Sequence, residues 1–264
     1  MSLLVLGSAK ASPGVTTTAL ALAATWPADR HVQIIEADPD GGVLAARQGV
    51  PSEPGLSTLA VSSRRSLSAG DLGLHLQTPA GSDVRLLVAP PAAEQARRSL
   101  GLAAGPLASV VTKLDGTDTI VDVGRLRPDS AAMPLVEAAD AVLLVARPRL
   151  DELQQLPARL RALRPTLARV GLLLIGDKPY PSAEVAVALD IEVVAVIADD
   201  PRAAEALGGV GRAAHLGRSP LLRSVRNAGE AIRVWLPGNE PGGPSVEVSI
   251  PDLAPTSASG EGPR

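Results

Sequence analysis

The sequence predicts a single α/β domain in which a mainly parallel sheet of about seven strands is covered by helices on both faces. Short apolar runs recur along the 264 residues, and most are continuous rather than alternating, as is typical of strands buried on both faces. A stretch with helical character follows most of these runs, which favours right-handed βαβ units. Proline and glycine mark many of the joints, such as Pro90-Pro91 and Pro148.

The elements are expected in alternating order along the chain. The apolar runs predict strands at residues 3–6, 32–35, 84–88, 119–123, 141–146, 170–175 and 191–197. The stretches between them predict helices at residues 16–26, 92–113, 131–139, 150–164, 181–189 and 201–207. Residues 47–80 contain Gly, Ser and Pro with weak periodicity, so they predict a long excursion holding a short helix or two.

Residues 1–236 are expected to form one domain, because no linker divides them. Residues 237–264 are dominated by Pro, Gly, Ser and acidic residues. Their apolar content is too low to offset the entropy of ordering, so a disordered polar tail is expected, apart from a short strand considered at residues 246–250.

Composition excludes several classes of function. The net charge of −3 gives no general attraction to nucleic acid or anionic lipid. The absence of cysteine excludes disulfides and thiolate chemistry. No apolar run approaches the length of a membrane span, and the N-terminus shows no secretory signal, so a cytoplasmic protein is expected.

A loop of small residues, Gly7–Thr18, joins the first expected strand to a helix. Backbone N–H groups converge at such a junction, and the helix dipole favours an anion there. Compared with the phosphate-loop pattern G-x-x-x-x-G-K-S/T, Gly14 and Thr16 fit, Ala9 replaces the first glycine, and Val15 replaces the phosphate-binding lysine. The alternative is an ordinary strand–helix turn capped by threonine.

The loop resembles the deviant Walker A motif of the ParA/MinD family, K-G-G-x-G-K-T-T, with Lys10 at the signature lysine and Val15 at the general one. Four further segments resemble family motifs in the same order. They are residues 34–42 (like D-x-D-P-x-G-N), 119–124 (like the Walker B strand), 138–145 (like A-D-x-v-l-l-v) and 197–202 (like I-P-x-D-P-R). The resemblance covers roughly residues 1–236 and implies a P-loop NTPase fold that binds ATP and Mg²⁺.

The resemblance also implies a phosphate and base site. Thr16 is expected to supply its hydroxyl to Mg²⁺, and Thr17 with the loop amides to hold the phosphates. The loop residues concerned are Ala11, Ser12, Gly14 and Val15. The base is expected near Asp177 and near Asp199 and Pro201, although Asp177 also fits a plain turn.

Acidic residues complete the implied site. Asp122 is expected to hold the metal as the Walker B carboxylate, and Asp38 to orient the attacking water. Glu36 is expected to support either Mg²⁺ or the loop, and Lys10 to reach the partner's phosphates across a nucleotide-linked homodimer. The alternatives are a turn cap for Asp38, a turn residue for Asp122 and a solvated side chain for Lys10.

Val15 bears on whether the protein hydrolyses or even binds ATP. Loss of a preorganised charge contact typically costs several kcal/mol in the transition state, and Ser12 and Pro13 replace flexible glycines. Three outcomes follow: slow hydrolysis with Lys10 alone, nucleotide binding without turnover, or a retained fold that binds none.

Two features of the sequence concern binding to a membrane or to DNA. Residues 221–236 have helical periodicity with a basic face, which fits packing on the sheet or, as the less favoured alternative, a membrane-targeting helix. Arg64-Arg65 and Arg97-Arg98 are small charge pairs that could contact DNA phosphate, although such pairs are more often solvated surface.

Three functional classes are therefore open. The first is an ATP-dependent dimerising switch that positions DNA, a septum component or a secretion or pilus machine through a protein partner. The second is a degenerate interaction scaffold that binds little or no nucleotide. The third, an ATP-dependent ligase or synthase, is disfavoured by Val15.

Overall fold

The computed structural model describes residues 2–10, 14–27, 29–63, 66–167, 169–210 and 216–237. The expected polar tail beyond residue 237, with the strand considered at 246–250, lies outside the described residues. So do Arg64-Arg65, and so do Ala11 and Ser12 of the loop.

All seven expected strands are present. They are β1 (Leu3–Ser8), β2 (His31–Glu36), β3 (Arg85–Leu87), β4 (Thr117–Arg125), β5 (Ala141–Ala146), β6 (Val170–Ile175) and β7 (Val193–Ile197). They form one sheet in the order β3-β2-β4-β1-β5-β6-β7, and every neighbouring pair is parallel. The predicted fold class, a mainly parallel seven-stranded α/β domain, is confirmed.

The helices of the described residues follow the strands closely. They are α1 (Val15–Ala24), α2 (Leu44–Gln48), α3 (Leu56–Ser62), α4 (Ala69–His75), α5 (Ala93–Val111), α6 (Met133–Glu137), α7 (Leu150–Leu153), α8 (Leu156–Leu163), α9 (Ser182–Leu189), α10 (Pro201–Leu207) and α11 (Pro220–Trp235). None of these helices is both long and apolar enough to cross a membrane.

Two expectations about helices were incomplete. The excursion at 47–80 holds the short helices α3 and α4, as expected, but α2 (Leu44–Gln48), which begins before the excursion, was not predicted. The helix expected at 150–164 divides into α7 and α8, with Pro157 in the first turn of α8. Proline lacks an N–H group and fits the first turn of a helix, where that donor is not needed, so α8 starts anew at this point.

Apolar side chains fill a layer on each face of the sheet. One layer includes Leu100 and Leu107 of α5 and Leu156 of α8, and the other includes Leu22 of α1 and Val225 of α11. The apolar side chains of α11 are buried in this second layer, among them Leu221, Ile232 and Trp235. The core-packing interpretation of residues 221–236 is the one that the structure shows.

The strand order places β1 at the centre, between β4 and β5. Leu6 of β1 lies beside Asp122 of β4 and Leu143 of β5. From β1 the chain continues to β2 on one side of β1, whereas β5 lies on the other side, so the strand order reverses at β1. Ligands of open α/β sheets bind in the crevice that forms outside the carboxyl ends of strands at such a reversal.

Candidate functional site

A pocket of about 460 Å³ lies at the carboxyl end of the central strands. Its walls come from the loop after β1, the start of α1, the segment after β2, α2, and the ends of β4 and β5. The lining residues are Ser8, Gly14, Val15, Thr16, Thr17, Glu36, Asp38, Asp40, Gly41, Val43, Arg47, Gly124, Arg125 and Arg147. The predicted residues at the start of α1 thus meet two of the predicted carboxylates, Glu36 and Asp38, in one cavity.

Helix α1 presents its amino end to this pocket. Gly14 precedes the helix with φ of 108°, a left-handed conformation that glycine adopts readily. Glycine has no side chain that could accept a hydrogen bond at this cap, and the first N–H groups of a helix have no partner within it. Val15 is 5% exposed and packs in the apolar layer beneath the loop, so it brings no charge to the pocket.

Asp122 of β4 does not line the pocket itself and is completely buried, with 0% of its surface exposed. Its Oδ1 accepts a hydrogen bond from the amide of Gly124, a lining residue, at 2.9 Å, whereas its Oδ2 has no hydrogen-bond partner among the described residues. Burial raises the pKa of the Asp122 carboxyl, although hydrogen bonding by the Thr16 hydroxyl and the Gly124 amide, together with the charge of Arg47, acts in the opposite direction. A buried carboxylate oxygen that lacks a donor suits a cation.

Asp38 follows β2 and faces the same cavity. Its Oδ1 accepts a hydrogen bond from the Asp40 amide at 2.8 Å, so it forms the turn that was the alternative to a catalytic role. Burial raises its pKa to about 6, and the charge of Asp122 adds to the rise. A turn residue of this kind is therefore also a pocket carboxylate.

Glu36 is held by the backbone of two neighbouring segments. Its Oε1 accepts hydrogen bonds from the amides of Val43 (2.6 Å) and Leu44 (2.9 Å), and its Oε2 accepts one from Ala89 (2.8 Å). Burial raises its pKa to about 7 despite these donors. Because both oxygens are occupied, the structure favours support of the loop over the expected metal contact.

Lys10 lies outside the residues that line the pocket. Its Nζ forms an ion pair with Asp151 of α7 at 2.5 Å, and both side chains are well exposed. Lys10 is therefore solvent-exposed, as in the alternative to a catalytic role, but it is also paired with an acidic residue of its own chain.

The expected base-binding residues are divided. Asp199 lines a smaller cavity of about 90 Å³ together with Gly14 and Thr17 of the α1 end. Asp177 lines neither cavity, and its Oδ1 accepts a hydrogen bond from the Ser182 amide at 2.6 Å, which caps α9 as a plain turn residue does. Pro201 is the first residue of α10 and lies outside both linings.

The motifs did not predict three arginines that line the main pocket. These are Arg47, Arg125 and Arg147. Arg125 and Arg147 could have been found, because each ends or directly follows a strand whose carboxyl end faces the cavity. Arg47 lies in the weakly periodic excursion, where no motif or spacing marks it. Arg97, considered for DNA, is paired with Asp40 at 2.8 Å.

The donor set fits a magnesium ion bound with a phosphate ligand rather than a metal held by protein alone. No group of three or more His, Cys, Asp or Glu side chains among the described residues could hold a metal. Mg²⁺ usually takes one or two protein oxygens and completes its shell with water and substrate phosphates. Thr16 and the unpartnered oxygen of Asp122 supply such a partial set.

This chain is similar to known proteins in three-dimensional structure but not detectably in sequence. No family model matches the sequence, and no curated protein matches it. Similar solved structures include a ParA family ATPase from Chlorobium tepidum, with a TM-score of 0.71 and 20% identity over 86% of this chain and 97% of that one. The Pyrococcus furiosus cell division ATPase MinD has a TM-score of 0.69 and 21% identity over 88% of this chain and 98% of that one.

A third similar structure is the Cyanothece McdA(D38A)–ATP complex, with a TM-score of 0.67 and 21% identity over 88% of this chain and 96% of that one. Sequence identities of this size show a shared fold. The fold that the resemblance implied is thus confirmed, and the chain has the fold of the ParA and MinD ATPases.

Proposed function

We propose that this chain is a nucleotide-binding switch protein of the ParA/MinD type, with weak or absent hydrolysis. The observation that carries the proposal is the fully buried Oδ2 of Asp122, which has no hydrogen-bond partner among the described residues, close to a cavity that Gly14, Val15 and Thr16 at the amino end of α1 line. An anion site and a cation site thus lie side by side, as a magnesium–nucleotide complex requires.

Each side chain has a defined part in binding. The α1 amides and the Thr17 hydroxyl hold phosphate oxygens, and Thr16 with Asp122 holds Mg²⁺, which supplies charge neutralisation when bound. Asp38, with a pKa of about 6, is mainly ionised at neutral pH and can accept a hydrogen bond from a water molecule. The cavity beside Asp199 has room for part of the base.

Slow turnover is expected because neither lysine position of the motif supplies a positive charge to the pocket. Val15 supplies none, and Lys10 is engaged by Asp151 on its own chain. Stabilisation of a transferring phosphoryl group depends on charges already in position, and loss of one such contact typically costs about 3–4 kcal/mol. Hydrolysis, if it occurs, must therefore wait until Lys10 leaves Asp151.

Dimerisation offers Lys10 a new partner. We propose a nucleotide-linked homodimer in the cytoplasm, in which Lys10 contacts the phosphates of the opposite subunit. The MinC:MinD complex of Aquifex aeolicus has a similar structure, with a TM-score of 0.64, and a protein partner of this general kind is proposed here. The cargo is DNA, a septum component or a secretion or pilus machine.

The alternative is a scaffold that binds little or no nucleotide. The ion pair between Lys10 and Asp151 favours it, because this pair must break before Lys10 can contact the phosphates of an opposite subunit.

Titration with a fluorescent ATP analogue, with and without Mg²⁺, separates the two functions. Saturable, Mg²⁺-dependent binding is expected, together with a shift to dimer mass in light scattering. Thr16→Val, which removes one hydroxyl, should weaken Mg²⁺-dependent binding about tenfold, in keeping with about 1–1.5 kcal/mol for one hydrogen bond. Thr112→Val, at the far end of α5, is the matched control. Absence of saturable binding at millimolar nucleotide would refute the proposal and leave the scaffold.

A further inference from the structure

Arg47 of α2 carries a positive charge into the main pocket. Its side chain lines the cavity, and its Nη1 lies 3.5 Å from Oγ1 of Thr17 at the start of α1. The guanidinium thus lies beside the residues proposed to hold phosphate and metal.

This guanidinium is not neutralised at short range. Within the described part of the chain, no carboxylate lies within 4.0 Å of it. By contrast, Arg147 of the same pocket is paired with Glu152 at 3.7 Å, and the lining residue Asp40 is paired with Arg97. A half-buried cation without a counter-ion is suited to an incoming anion.

The backbone that carries Arg47 is fixed from both sides. Glu36 accepts hydrogen bonds from the amides of Val43 and Leu44 at the start of α2. At the other end, the side chain of Gln48 donates a hydrogen bond to the Leu207 carbonyl at 2.9 Å. Arg47 lies between these two contacts, so the position of its backbone beside the pocket is fixed.

We infer that Arg47 supplies the phosphate-binding charge that Val15 does not. The inference rests on the proposed nucleotide site and assigns to it a residue from a different element. A planar guanidinium can donate two parallel hydrogen bonds to phosphate oxygens, whereas an ammonium acts as a point charge. The positive charge of the site has moved from the first turn of α1 to the short helix α2 in the segment after β2.

Affinities of four proteins for the fluorescent ATP analogue and for AMP test this inference. Arg47→Ala should weaken ATP binding about 10- to 100-fold, since a hydrogen bond to a charged group contributes about 1.5–3 kcal/mol and each 1.4 kcal/mol is tenfold. AMP, which lacks the terminal phosphates, should lose much less affinity. The double variant Arg47→Ala/Val15→Lys should regain most of the loss for ATP. Arg161→Ala, on the exposed face of α8, is the control and should bind as the unaltered chain does.

Thermal unfolding without nucleotide checks the fold of each variant, and Arg47→Lys provides a second probe if Val15→Lys unfolds the chain. Arg47→Lys should retain more affinity than Arg47→Ala, because it keeps the charge. Equal ATP affinities for Arg47→Ala and the unaltered chain overturn the inference alone. An equal loss for AMP and ATP also overturns it, because the contact would then not be to the terminal phosphates. Failure of the unaltered chain to bind any nucleotide overturns the proposed function and this inference together.

Discussion

Replacement of Gly124 by alanine tests whether Asp38 is held against the backbone of β4. Gly124 has φ of 56°, in the left-handed region. A Cβ atom there would lie 2.0 Å from Oδ2, 2.2 Å from Cγ and 2.7 Å from Oδ1 of Asp38. These are its three nearest atoms, so the collision is with one pocket carboxylate, and the alanine must displace it.

Gly116 provides the matched control. It has φ of 69°, and a Cβ added there meets nothing within 4 Å. Both substitutions incur left-handed strain of about 1–2 kcal/mol. Gly124→Ala also forces Asp38 to rotate and to lose its hydrogen bond from the Asp40 amide, although renewed solvation returns part of that loss. We therefore expect the free energy of unfolding to fall by about 2–4 kcal/mol for Gly124→Ala and about 1–2 kcal/mol for Gly116→Ala.

Urea unfolding followed by circular dichroism measures both values, and a double-mutant cycle with Asp38→Ala isolates the collision. Removal of the carboxylate should restore about 1–2 kcal/mol in the Gly124→Ala background but nothing in the Gly116→Ala background. The reasoning is refuted if the two glycine variants lose equal stability, or if Asp38→Ala has the same effect on stability in the Gly124→Ala background as in the unaltered chain.

Two further changes test the pocket and the core. Glu36 has a folded-state pKa of about 7 against an ordinary 4.5, so its contribution to stability falls as pH rises through this window, by about 3 kcal/mol at most. In urea titrations from pH 5 to 8, Glu36→Gln should flatten that decline, and an unchanged slope would contradict the assignment. Val225→Ala on the 0%-exposed side of α11 should cost about 1–3 kcal/mol, whereas Val234→Ala, 53% exposed, should cost under about 0.5 kcal/mol; equal losses would contradict the packing of α11.

The sequence was sufficient for the sheet because its strands are buried on both faces and so appear as continuous apolar runs. It underestimated β4, predicted at 119–123 and observed at Thr117–Arg125, since Thr117 and Asp118 are polar. Both are nevertheless buried, and Asp118 accepts hydrogen bonds from the Ser2 amide and from the Trp26 indole. Polar residues that acquire partners only through folding carry no signal in an apolar pattern.

The same limit applied to the site. Motif spacing brought Thr16, Asp38 and Asp122 to one end of the sheet, because each follows or ends a strand whose carboxyl end faces the cavity. The donors to Glu36 could not be predicted, since the amide of Ala89 comes from a segment more than fifty residues away. Arg47 was equally hidden, because a short helix in a weakly periodic excursion gives no indication of the direction of its side chains.

The charges of the pocket favour a ligand over an empty scaffold. Among the described residues no donor reaches the buried Oδ2 of Asp122, and burial together with the charge of Asp122 raises the pKa of Asp38. An unsatisfied buried polar group typically destabilises a protein by about 1–3 kcal/mol, and more for a charged one. Perturbed carboxylates in a cleft are a frequent mark of functional sites. A cation at Asp122, with its phosphate ligand between the α1 amides and Arg47, would give each of these groups a partner of opposite charge. If Arg47 is that partner, as we infer, the valine at position 15 changes the source of the positive charge but not the need for it.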